Sequence, residues 1–145
     1  MEVMLASLPN IQLTTVLFAV IFTKFDVKYQ IYAILAYVML QGIIYGFSLY
    51  LISMFIGWFI WLIIINLCNK DNIKTIALFS VIFAVLYGLV FYPLNYLLYE
   101  LPFIPYLIAD LPFMMLMAVS NVLTMLWVYP ILVKIVEMRV GEDNN

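Results

Sequence analysis

The stretch YQIYAILAYVMLQGIIYGFSLYLISMFIGWFIWLIIINLCN, Tyr29 to Asn69, decides the fold: it runs for 41 residues without a charged side chain. A helix that crosses the hydrocarbon of a bilayer needs about 20 mostly apolar residues. The stretch therefore reads as two spans, Tyr29 to about Ser48 and Leu49 to Cys68, joined by a tight turn near Gly46. Composition agrees: 68% of the 145 residues are hydrophobic and only 10% are charged, against about 25% charged in a soluble domain. The expectation is an all-α, polytopic transmembrane bundle forming one domain over residues 1–145 in a lipid bilayer.

Working outward, the charges fall into clusters that mark the span ends. Lys24, Asp26 and Lys28 precede the stretch; Lys70, Asp71 and Lys74 follow it; Lys134, Glu137, Arg139, Glu142 and Asp143 close the chain. Between them lie Thr75 to about Tyr99, with Pro93 set to kink or end it, and Leu111 to about Val136. Asp110 and Pro112 look like the cap and first turn of that last helix. Leu101 to Pro105 reads as a loop. Before the first cluster, Ile11 to Phe22 makes a short span. Residues ahead of Pro9-Asn10 read either as the remnant of a helix whose inner part is missing or as a re-entrant or interfacial segment. The sum is about five full spans plus that remnant. Two spans separate each basic cluster from the next, so the positive-inside rule puts all three clusters and the C-terminus in the cytoplasm.

Several functions are disfavoured at once. A net charge of −2 offers no basic surface to nucleic acid. The chain has no histidine, and Cys68 stands alone, so neither a disulfide nor a His/Cys metal site is expected. No zinc-protease, nucleophile-base or phosphate-loop pattern occurs. No enzyme and no cofactor are expected, and active transport would need an external motor.

Polar residues at membrane depth are then the functional candidates. Tyr37, Gln41 and Tyr45 share a face at a spacing of four. Ser53, Trp58 and Trp61 follow on the next span, and Asn95 lies beside Tyr92, Tyr96 and Tyr99. Asn121, nine residues past Pro112, sits about 13 Å into its helix, with Met114, Met117, Thr124 and Met125 near its face. Each has a plainer role: tyrosines near span ends as interfacial belts, methionines as adaptable packing, Gln41 and Asn121 as interhelical glue. The candidate ligand-binding set is Asn10, Gln12, Gln41, Tyr45, Trp58, Asn95, Asp110 and Asn121, with capping the alternative for Asp110. Small residues form two stripes, Gly42 with Gly46 and Ser80 with Ala84 and Gly88. Such stripes let helices approach closely, within the chain or against a partner.

The order of these features resembles one family. Leu8-Pro9-Asn10-Ile11-Gln12-Leu13-Thr14, Gln41 to Phe47 and Ile52 to Trp58 resemble, in order, the turn ending the first helix, the outer end of the third and the start of the fourth in uncharacterised substrate-binding (S) components of energy-coupling factor (ECF) transporters. Pro105 to Phe113, then Ala118-Val119-Ser120-Asn121, then Tyr129-Pro130-Ile131-Leu132, resemble their last helix. The resemblance covers nearly the whole chain. It implies six membrane helices in a full-length member and a small-molecule or vitamin pocket near the outer surface. It also implies a transmembrane coupling protein with two cytoplasmic ABC ATPases as partners. The chain departs from the family pattern at Gln41, where an acid often stands, and at Met114 and Met117, where an Asp and a His often do. Ala6 and Ser7 alone do not make the family's docking motif on the first helix. The competing reading is a non-transporting multispan subunit packed into a larger complex, with the small-residue stripes as its contacts; a small carrier or channel subunit is weaker, for want of intramembrane charge.

Overall fold

In the computed structural model the backbone is described for residues 2–142 and the side chains for residues 13–141. Helices account for nearly all of it: α1 (Glu2–Lys24), α2 (Val27–Tyr45), α3 (Tyr50–Leu67), α4 (Ile73–Val90), α5 (Tyr92–Tyr99) and α6 (Phe103–Glu142). Among the described residues there is no strand. Among the described residues four rods are long and apolar enough to cross a membrane: Val27–Tyr45, Tyr50–Leu67, Ile73–Tyr99 and Phe103–Gly141, with the shorter apolar Leu13–Lys24 beside them. The protein is an all-α helical membrane bundle.

The uncharged stretch folds as its composition dictates. α2 and α3 form a hairpin whose turn begins at Gly46, with φ +91° and nothing within 4 Å of a Cβ placed there. That backbone conformation strains any L side chain, so glycine is needed for the turn rather than for packing. Gly42 has the opposite role. A Cβ there would lie 2.7 Å from the Phe47 ring and 3.0 Å from Leu51, so its bare backbone lets the hairpin close.

Two boundaries differ from the sequence reading. α1 runs unbroken from Glu2 to Lys24, so the polar break expected at Pro9-Asn10 lies within one helix. α6 begins at Phe103, not at Leu111, and Asp110 stands inside it rather than capping it. The first-turn proline is Pro105, whose missing N–H is one of the orphans of any helix start; the Pro102 carbonyl accepts from the Tyr106 amide at 3.1 Å. Pro112 and Pro130 then lie in the helix interior, as membrane helices tolerate. The fourth span behaves as expected: it breaks at Phe91, and Pro93 opens α5.

The helices close into a ring, α2 on α3, α3 on α4, α4 on α6, α6 on α1 and α1 on α2, with α1 also touching α3. The α4–α6 seam is the most extensive. Ser80, Ala84 and Gly88 are buried along it. A Cβ on Gly88 would lie 2.5 Å from both Asp110 Oδ2 and Met114 Cε of α6. The small-residue stripe is therefore filled by the chain's own helix.

All three basic clusters meet at one end of the bundle. Lys24 pairs with Glu137 at 2.6 Å. Lys70 donates to the Phe22 carbonyl at 3.1 Å and to Asn66 at 2.8 Å. Gln30, buried, donates to the carbonyls of Phe22 and Phe25 and accepts from Asn66. Tyr129 donates to Thr23 across α6 and α1. The last carbonyls of α1 have no intrahelical partners, and Gln30 of α2 and Lys70 of the α3–α4 turn supply them.

Candidate functional site

At the centre of the bundle, aromatic rings fill the space between helices. Trp58 and Trp61 are fully buried. Trp58 packs against Phe18 (ring centroids 4.8 Å apart), Tyr87 (5.4 Å), Phe83 (5.5 Å) and Tyr37 (5.7 Å). Rings at these separations add about 0.5–1.5 kcal/mol per pair beyond area burial. Gly57 makes this possible: a Cβ there would lie 2.7 Å from the Tyr87 ring. The Trp61 indole donates to the Thr15 carbonyl at 3.3 Å, whereas the Trp58 indole N–H is buried without a partner.

The candidate binding residues whose side chains are described stand in different settings. Gln41 approaches the Tyr37 phenol, as does Thr14, and through Tyr37 reaches Trp58. Tyr45 is 66% exposed at the end of α2. Asn95 donates to the Phe91 carbonyl of its own helix at 2.8 Å. Asn121 crosses to α4 and donates to the Ser80 carbonyl at 3.1 Å, while its Oδ1 is buried without a partner. Met114, Met117 and Met125 are buried near its face. Asn10 and Gln12 lie outside the residues whose side chains are described.

Asp110 is the residue whose setting the sequence misrepresents most. It projects from the second turn of α6 onto Gly88, and its Oδ2 is buried without a hydrogen-bond partner. One turn earlier, the Tyr106 hydroxyl donates to the Gly88 carbonyl at 2.6 Å. The helix break accounts for that bond. With α4 ending at Phe91, the Gly88 carbonyl accepts from the Phe91 amide at 3.2 Å rather than from a regular i+4 donor, and the Tyr106 hydroxyl adds a second, shorter bond. Tyr106 in turn stacks near Tyr92 (5.3 Å), and Tyr92 meets Phe103 edge-on (5.0 Å).

Sequence reasoning missed Gln30, Asn66, Lys70 and Tyr106. The first three stand where the charge clusters meet the apolar runs, and Asn66 precedes Lys70 by one helical turn. That spacing is the one signal of their association that the sequence carries. Among the described residues no three His, Cys, Asp or Glu side chains gather to hold a metal ion. Outside the spans, burial pushes the Cys68 thiol above its ordinary pKa, and it donates weakly to the Ile65 carbonyl at 3.3 Å.

No family model, curated protein or solved structure matches the chain.

Proposed function

We propose that the chain is the substrate-binding (S) component of an ECF-type uptake transporter, a membrane subunit that holds a small molecule and is energised by partners. The observation that carries this reading is a set of three buried polar atoms without partners: Trp58 Nε1, Asp110 Oδ2 and Asn121 Oδ1. In a low-dielectric interior each costs free energy until something completes it, and interior polar groups of membrane helices are the usual places where a ligand does so. On this reading the chain performs no reaction itself. The basic end faces the cytoplasm, as the positive-inside rule orients it, and the α2–α3 turn and the start of α6 face outward. The chain then lies in the cell membrane with its C-terminus inside, and its partners are the transmembrane coupling protein and two ABC ATPases.

A second reading rests on a different observation. The rings of Phe18, Tyr37, Trp58, Phe83 and Tyr87 occupy the middle of the bundle, as suits a non-transporting subunit packed into a larger complex. One experiment separates the two: purification of the tagged chain from its native membranes in mild detergent, with the co-purifying proteins identified by mass spectrometry. Stoichiometric recovery of a membrane coupling protein and two ABC ATPases is the expected result. A stable chain recovered with other membrane proteins and no ATPase overturns the transporter reading.

A further inference from the structure

We propose that Asp110 and the aromatic side chains around it form a recognition site for an organic cation. The proposal rests on the reading of the chain as a ligand-binding subunit and names the class of ligand.

Charge comes first. Between Lys74 and Lys134 the chain carries no Lys, Arg or His, and Asp110 and Glu100 are its only acids there. The span from Tyr29 to Asn69 carries no charge either. Asp110 stands about 10 Å from the start of α6 at the helical rise of 1.5 Å per residue, inside the apolar span. Its Oδ2 is buried and has no donor. The Tyr106 hydroxyl, one turn earlier, is committed to the Gly88 carbonyl at 2.6 Å. An intramembrane carboxylate ordinarily pairs with a cation or a donor. Among the described residues no side chain supplies either to Oδ2, so the counter-charge comes from outside the chain.

Aromatic rings come next, gathered near Gly88 and Tyr106. Tyr106 lies one turn from Asp110, its ring centroid 5.3 Å from that of Tyr92. Phe91 sits 5.2 Å from Tyr87 and 6.3 Å from Tyr50. Rings from α3, α4, α5 and α6 thus collect at the same end as the unpaired carboxylate. Cations bind over aromatic faces at about 6 Å or less from the centroid, and quaternary ammonium ligands are held this way. A carboxylate among rings suits a bulky, weakly hydrated ammonium better than a metal ion, which would require more oxygen ligands. Gly88 completes the arrangement, since its lack of a side chain leaves Asp110 its position.

The test uses the full chain in lipid nanodiscs and a matched pair of probes, choline and its neutral isostere 3,3-dimethyl-1-butanol, with binding read by calorimetry. Expected are saturable choline binding, at least tenfold weaker binding of the alcohol, and at least a tenfold loss of choline affinity in Asp110→Asn. Tyr106→Phe keeps the ring and should keep the affinity, whereas Tyr92→Leu should lower it several-fold. Should Asp110→Asn fail to fold, Gly88→Ala replaces it; the new Cβ displaces the carboxylate, and choline affinity should fall likewise. Equal binding of the alcohol, unchanged choline binding by Asp110→Asn, or no saturable choline binding at millimolar concentration overturns the proposal and leaves Asp110 a protonated structural acid. Recovery of the ATPases without choline binding refutes the cation site alone. Choline binding without the ATPases refutes the transporter reading alone.

Discussion

Replacing Gly57 with alanine sets two effects of known sign against each other. In a helix interior alanine is favoured over glycine by about 1 kcal/mol, which would stabilise α3. The added Cβ, however, would lie 2.7 Å from two carbons of the Tyr87 ring, well inside van der Waals contact. Tyr87 cannot swing away, because Trp58 (5.4 Å), Phe83 (5.5 Å) and Phe91 (5.2 Å) surround it. Overpacking of this kind costs about 1–3 kcal/mol, and a rigid ring among rings belongs at the upper end. The clash therefore wins, and Gly57→Ala should destabilise the bundle by about 1–2 kcal/mol net. The assay is reversible SDS unfolding in mixed micelles, followed by tryptophan fluorescence. A double-mutant cycle sharpens it: in a Tyr87→Leu background the clash is relieved, so Gly57→Ala should turn neutral or stabilising there. A stabilising Gly57→Ala with Tyr87 in place, or equal effects in both backgrounds, would show that α3 and α4 do not meet through this pair.

Other expectations follow from named contacts. Gln30→Leu leaves the Phe22 and Phe25 carbonyls short of a donor and should cost about 1–3 kcal/mol in the same unfolding assay, whereas Lys24→Met, which breaks an exposed ion pair, should cost about 1 kcal/mol or less. Asn121→Ala should cost about 0.6 kcal/mol, the average for interhelical hydrogen bonds in membranes, and no more than about 1.7 kcal/mol; no loss of stability would mean that the Asn121–Ser80 bond does not hold the α4–α6 seam. Gly46→Ala should cost about 1–3 kcal/mol through backbone strain alone, since space at Gly46 is open. Cys68, its pKa raised by burial, should have less thiolate at neutral pH and alkylate more slowly than a free thiol; unfolding in SDS should abolish the difference in rate.

The spans were legible because bilayer thickness imposes a length that composition reveals directly. The hairpin turn was legible because Gly46 has the backbone freedom that the turn demands. α6 was misread because Asp110-Leu111-Pro112 imitates a capped helix start, while the proline that opens the helix is Pro105. A proline within the first turn and one in a membrane-helix interior look alike in a string of letters; only the packing of Asp110 against Gly88 tells them apart. The binding set scattered for a related reason. Periodicity puts Tyr37, Gln41 and Tyr45 on one face, but how far that face turns toward its neighbours varies along the helix, leaving Gln41 half-buried and Tyr45 in the open. Contacts such as Gln30 with Phe22 and Asn66 depend on the relative rotation of three helices, which no single helix encodes.

The two ends of the bundle are fastened by different means. At the basic end, Gln30, Asn66, Lys70 and Tyr129 tie helices together with directional bonds, which resist both sliding and twisting. At the opposite end α3, α4, α5 and α6 meet chiefly through aromatic rings, one pair stacked and the others tilted or edge-on, with the bond from the Tyr106 hydroxyl to the Gly88 carbonyl beside them. The molecule is thus laced by several directional bonds at one end and held mainly by aromatic contact at the other. Amide exchange should record that asymmetry, with protection falling from Gln30 toward Tyr45 along α2 and rising from Phe103 toward Tyr129 along α6.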